Sequence, residues 1–203
     1  MATNFPTMDP LTESLSLIKA ALERLGIRYV VGGSVASSAR GIWRSTLDVD
    51  LVVAIKAAQA DALVEALGPE WYADSEMMRR AIQARRSFNV IYIRSAQKVD
   101  IFPATEAFHE AQLQRGTVIP LGAGGVPCPV ASAEDILLAK LQWYRMGGEV
   151  SERQWSDIAG ILAVAPDLDE TYLRTWAARL GVEDLLDKAV AATGSAEGST
   201  TGG

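Results

Sequence analysis

Cysteine, histidine, long apolar runs and excess positive charge are all scarce in this chain. One cysteine, Cys128, stands among 203 residues. No intrachain disulfide can form, and a reducing compartment is expected. The only histidine, His109, falls in a helical stretch with Phe108, Glu110 and Gln112, and reads as a surface residue rather than a base. No apolar run approaches the roughly 20 residues of a membrane span. The first ten residues show no basic segment followed by an apolar one, so a signal peptide is not expected. Acidic residues outnumber basic ones, 25 to 19, for a formal charge of −6. A protein gripping a long nucleic acid carries a basic face to release counterions, so this balance argues against a polynucleotide partner. A cytoplasmic enzyme with no membrane partner is the expectation.

Hydrophobic residues make up 49% of the chain and charged residues 22%, the balance of an ordinary globular protein. That much apolar surface can offset chain entropy, which a disordered chain cannot do. The length suits one sizeable domain or two small ones sharing a core. No internal repeat is visible. The segment 193–203, rich in glycine, serine and threonine, reads as a flexible tail.

Leu15, Ile18, Leu22 and Leu25 share one helical face, which predicts a helix over 11–25 stopped by Gly26. A short buried strand over 27–31 is broken by Gly32, Gly33 and Ser34, and 35–40 can turn into a helix. The next strand is 47–53. Helices are expected over 56–67 and 76–85, and strands over 88–93 and 98–102. A hairpin of 117–121 with 126–130 surrounds a glycine turn. From Ser132, a plausible N-cap, the texture becomes helical: 132–146, 151–162, 169–180 and 183–192.

The chemistry sits on the strands. Alternation puts Leu47, Val49 and Leu51 on one face and Asp48 and Asp50 together on the other. Two such carboxylates can converge on a hard cation, although the bland reading is a pair of solvated acids. Asp100 stands alone among apolar residues in Val99-Asp100-Ile101-Phe102, where an unpaired charge is costly. If its strand lies beside Asp48 and Asp50, three repelling carboxylates meet and call for cations. Gly32, Gly33 and Ser34, between strand and helix, let backbone approach a phosphate, though a simple tight turn has the same composition. A phosphate cradle with three acidic ligands describes phosphoryl or nucleotidyl transfer.

Gly32-Gly33-Ser34 followed by Arg44-Ser45-Thr46-Leu47-Asp48-Val49-Asp50 resembles the signature of the DNA polymerase β-like nucleotidyltransferase superfamily. The strand around Asp100 looks like its third-carboxylate strand. The run Glu134 to Leu141, with Lys140, and then Arg153 to Asp157, is similar to the nucleotidyltransferase toxins of abortive-infection systems and their uncharacterised bacterial relatives. The resemblance spans about 27–162. It implies an α+β nucleotidyltransferase fold: a mixed β-sheet flanked by helices over 1–131, then a small C-terminal helical bundle over 132–192. It implies an NTP as substrate and two Mg²⁺ ions as cofactors. Asp48 and Asp50 would hold the ion that carries the triphosphate. Asp100 would complete the second metal site and act as general base. Gly32, Gly33 and Ser34 would form the phosphate cradle, with Gly33 and Ser34 on the β- and γ-phosphates. Arg44 would brace the strand or touch phosphate, Lys140 would reach a phosphate, and Asp157 would face the nucleotide or hold Lys140. The acceptor is left open between a small molecule, a protein side chain and an RNA end. The alternative is a nucleotide-binding, catalytically silent protein of a toxin–antitoxin type system, with an antitoxin as partner.

Other residues have blander readings. Cys128, between two prolines, reads as a packed thiol. Arg79, Arg80, Arg85 and Arg86 read as a solvated helix face before a phosphate or RNA patch. Trp143, Tyr144 and Trp155 read as core before a base-stacking platform. Ser87 and Asn89 would matter only if their strand lay beside the site.

Overall fold

The structure is a computed structural model and describes residues 9–39, 48–165 and 167–197. The chain divides into two compact units, Met1–Val35 with Ser45–Ala131, and Ala36–Arg44 with Ser132–Gly203.

The first unit begins with helix α1 (Pro10–Arg24). Asp9 caps it, accepting the Thr12 backbone N–H at 3.0 Å, and proline occupies the first turn where no donor is needed. Leu15, Ile18 and Leu22 form its buried face. Strand β1 (Tyr29–Gly32) runs without a break into α2 (Gly33–Ala39), which starts two residues earlier than expected. The remaining strands are β2 (Asp48–Val53), β3 (Trp71–Tyr72), β4 (Phe88–Tyr92), β5 (Gln97–Pro103), β6 (Thr117–Leu121) and β7 (Val126–Val130). Between them lie α3 (Ala60–Leu67), α4 (Ser75–Gln83) and α5 (Ala107–Arg115). The expected helix over 56–67 opens instead with a separate 3-10 turn, Ala57–Gln59. The two-residue β3 is absent from the sequence reading because two residues cannot display an alternation.

The strands form one mixed sheet in the order β3-β4-β5-β2-β1-β7-β6. β2 runs parallel to β5 and antiparallel to β1. One face carries Val31, Leu51, Ile101, Phe88, Val99, Val90 and Tyr92, all buried. It meets α1, since the Tyr92 hydroxyl donates to Glu13 of α1 at 2.9 Å, and α1 packs on α3 and α3 on α4. Each fully buried aliphatic side chain there contributes about 1.5–3 kcal/mol. The opposite face carries Val30, Val52 and Phe102 under α5, and then the charged residues described below.

The second unit is helical: α6 (Ala133–Met146), α7 (Glu152–Val164), α8 (Glu170–Leu180) and α9 (Glu183–Glu197). α9 runs five residues beyond its expected end at Ala192, into the stretch read as tail. Ser132, Ser151 and Asp169 cap the first three, each side chain accepting a backbone N–H three residues on. Tyr144 stacks on Trp155 with ring centroids 5.2 Å apart. Trp143, expected in the core, is 47% exposed. Arg145 ties α6 to the start of α9, donating to the Gly181 carbonyl at 3.1 Å and to Asp184 at 2.6 Å. No helix among the described residues is long and apolar enough to cross a membrane.

Asp135 has no exposed surface, and one of its oxygens accepts the Tyr172 hydroxyl at 2.6 Å, joining α6 to α8. Tyr172→Phe removes that donor from a buried acceptor. A loss of roughly 1–3 kcal/mol in unfolding free energy is expected. Urea denaturation followed by far-UV circular dichroism measures it, and an unchanged midpoint would mean the bond contributes nothing to packing α8 on α6.

Candidate active site

The charged face is built by strand register. Asp50 of β2 stands opposite Gly32 of β1 on one side and opposite Asp100 of β5 on the other. Asp100 in turn stands opposite Asn89 of β4. Gly32, Asp50, Asp100 and Asn89 therefore form one row across four strands. The next row holds Asp48 opposite Lys98, with Ile91 beyond. Residues two apart on a strand share a face, so Asp48, Asp50, Lys98 and Asp100 all project from the same side. The condition set by the sequence, that the Asp100 strand lie beside Asp48 and Asp50, is met by the parallel β2–β5 pairing.

The β1–α2 junction meets this row directly. Gly33 has φ +58°, in the left-handed region that glycine enters without penalty. A Cβ at this position would fall 1.7 Å from Asp50 Oδ2 and 2.6 Å from its Cγ. The Asp50 carboxylate thus occupies the space that any side chain at 33 would need. Ser34, half-buried, follows in the first turn of α2.

Lys98, which no sequence motif marks, joins the aspartates on this face. Its ammonium lies 2.8 Å from Asp100 Oδ2 and 3.9 Å from Asp48 Oδ1. The hydrogen bond with Asp100 raises the Lys98 pKa, partial burial opposes the shift, and the charges of Asp100, Asp48 and Asp50 add to it. The available signal was period two: Lys98 precedes Asp100 by two residues on an expected strand. Among the described residues, no three acidic, histidine or cysteine side chains are drawn together as a metal centre. The donor type suits a hard divalent ion, because the carboxylate oxygens of Asp48, Asp50 and Asp100 come from one face.

Lys140 and Asp157 belong to the second unit, on α6 and α7. The Lys140 ammonium lies 3.0 Å from Asp157 Oδ2, and both side chains are largely buried. This ion pair joins α6 to α7. Arg44 lies outside the described residues.

The blander candidates also find places. Arg79 pairs with Asp61 at 2.7 Å and Arg80 with Glu76, while Arg85 and Arg86 are exposed at the start of the turn into β4. Cys128 is fully buried, and burial pushes its thiol pKa up. His109 is half-buried rather than superficial, and burial lowers its pKa against the opposing charge of Glu106.

No family model matches the chain, and no curated protein does. Solved structures do. The solution structure of the antibiotic-resistance factor ANT(2'')-Ia aligns over 94% of this chain and 98% of its own, at 16% identity and a TM-score of 0.50. A crystal structure of ANT(2'')-Ia with adenylyl-2''-tobramycin covers 84% and 96%, at 15% identity and a TM-score of 0.49. An antigenic nucleotidyltransferase-like protein from Paracoccidioides brasiliensis covers 90% and 93%, at 18% identity and a TM-score of 0.47. At such identities the likeness is one of fold. The chain has the nucleotidyltransferase fold, α+β with a mixed sheet and C-terminal helices.

Gly33→Ala should disturb this site. It imposes a left-handed φ on alanine, at a cost of about 1–2 kcal/mol, and its methyl group must displace the Asp50 carboxylate. A lower melting temperature, read by differential scanning calorimetry, is expected. An unchanged melting temperature in Gly33→Ala would show that the Asp50 carboxylate gives way without cost.

Proposed function

We propose that the protein is a magnesium-dependent nucleotidyltransferase, moving a nucleoside monophosphate from an NTP such as ATP to a hydroxyl acceptor. The observation that carries this reading is the row Gly32–Asp50–Asp100, with Asp48 on the same face. Asp48, Asp50 and Asp100 would hold the metal, two ions in the full reading. Bound there, magnesium would neutralise triphosphate charge and favour ionisation of the acceptor hydroxyl. A carboxylate oxygen of Asp100 would take the proton of that hydroxyl. The new bond forms between the acceptor oxygen and the α-phosphorus. The bond from that phosphorus to the bridging oxygen breaks, and pyrophosphate leaves. Gly33 and Ser34 are the proposed contacts to the β- and γ-phosphates, and Arg44, Lys140 and Asp157 remain candidate nucleotide-binding residues. The acceptor is a small molecule, a protein side chain or an RNA end. The motifs around Lys140 and Asp157, similar to those of abortive-infection nucleotidyltransferase toxins, support the finer reading of a relative of those toxins; a cytoplasmic location and, for the silent alternative, an antitoxin partner belong to the same proposal.

A second reading has its own observation. The Lys98 ammonium already neutralises Asp100 and approaches Asp48, as would suit a protein that binds nucleotide without chemistry. Incubation with each α-labelled NTP, Mg²⁺ and cell lysate separates the two. Transfer of label to an acceptor, abolished by EDTA, is expected. Bound nucleotide with no transfer under any NTP would favour the silent protein.

Asp50→Asn should reduce transfer by more than about a hundredfold. Its apo melting temperature should be unchanged or higher, because one repelling charge is gone. Collapse of the apo fold would make Asp50 a structural residue. Lys140→Ala should weaken NTP binding far more than nucleoside binding. If both affinities stay at wild-type values, Lys140 serves only its ion pair with Asp157.

A further inference from the structure

We propose that Lys98 is an internal counter-cation of the charged face, holding Asp100 and Asp48 until a divalent ion displaces it. The inference rests on the proposed metal role of these aspartates. Three observations carry it. The ammonium approaches two carboxylates from different strands, at 2.8 Å and 3.9 Å. It rises from the same strand face as Asp100, two residues before it and directly opposite Asp48 in the parallel register. Its side chain is 39% exposed, so the head can swing into solvent without disturbing the core.

A lysine so placed does two things. It offsets carboxylate repulsion in the metal-free protein, since a compact ammonium on a flexible stem can serve two acids at once. It also competes with any incoming ion for the same oxygens. A divalent cation arriving alone must evict Lys98 and gains only the aspartate oxygens. A cation arriving with a triphosphate brings phosphate oxygens as further ligands, and these compensate for the eviction. Lys98 therefore makes metal loading depend on nucleotide. It acts through the aspartates and is a positioning residue rather than a catalytic one.

The test titrates Mn²⁺ calorimetrically, first without nucleotide and then with ATP present, into the full chain as wild type, Lys98→Met, Lys98→Arg and Asp50→Asn. Lys98→Met keeps the apolar stem and removes the charge. Lys98→Ala is made as well, in case an apolar thioether among the carboxylates prevents folding. An opposite charge beside a carboxylate changes its affinity for a proton by about tenfold or more, and a divalent ion competes for the same oxygens. Lys98→Met should therefore bind Mn²⁺ about tenfold more tightly than wild type. Lys98→Arg should restore wild-type affinity. The melting temperature of Lys98→Met should fall without metal and return toward wild type in saturating Mg²⁺. A purely structural lysine would give the same fall in both conditions, and that result overturns the proposal. So does Mn²⁺ affinity in Lys98→Met equal to or weaker than wild type. If Asp50→Asn abolishes Mn²⁺ binding while Lys98→Met leaves it unchanged, this inference fails and the metal reading stands. If no chain binds Mn²⁺, with or without ATP, both fail together.

Discussion

The pairing of β2 with β5 governs the charged face. Neighbouring strands lie about 4.8 Å apart, and a parallel register sets Asp50 directly beside Asp100. Asp48 stands two residues away on the same side. Charges of one sign held at this spacing oppose folding unless something offsets them. The surroundings answer that constraint. Glycine at 33 leaves room for the Asp50 carboxylate, Lys98 supplies a positive charge to Asp100 and Asp48, and the Asp48 side chain remains more than half exposed to water.

The apolar side of the same strands keeps this register from slipping. Val49, Leu51, Val99 and Ile101 are essentially without exposure and alternate with the charged positions. A shift of one residue would turn every aspartate into the core and every aliphatic residue outward. Burial of four such side chains is worth several kcal/mol, more than the repulsion among partly solvated acids can recover. The hydrophobic face thus holds the carboxylates in a row that electrostatics alone would disperse.

The helical unit is organised by short-range rules and a few ion pairs. Its caps at Ser132, Ser151 and Asp169 satisfy backbone donors locally. Lys140 and Asp157, both largely buried, form a pair whose members would each be costly alone. Arg145 is shared among Asp184, Glu149 and the Gly181 carbonyl, all near the surface, where such pairs contribute about 0–1 kcal/mol each.

What could be read from the chain alone follows from interactions a few residues long. Alternation in a strand is enough to put Asp48 and Asp50 on one face. A serine or aspartate before an apolar periodic run is enough to start a helix. A lone aspartate among valine, isoleucine and phenylalanine is enough to mark position 100. Tertiary structure alone decided that β5 is the parallel neighbour of β2, that Asp50 faces Asp100, that Lys98 bridges toward two acids and that Asp157 takes Lys140. It also made a strand of Trp71–Tyr72, which pairs with β4 through Tyr92 and Ile91. The physical reason is range. Periodicity and capping act within one or two turns of chain, whereas the partner of a strand fifty residues away is chosen by the total apolar burial that each arrangement of the sheet would achieve.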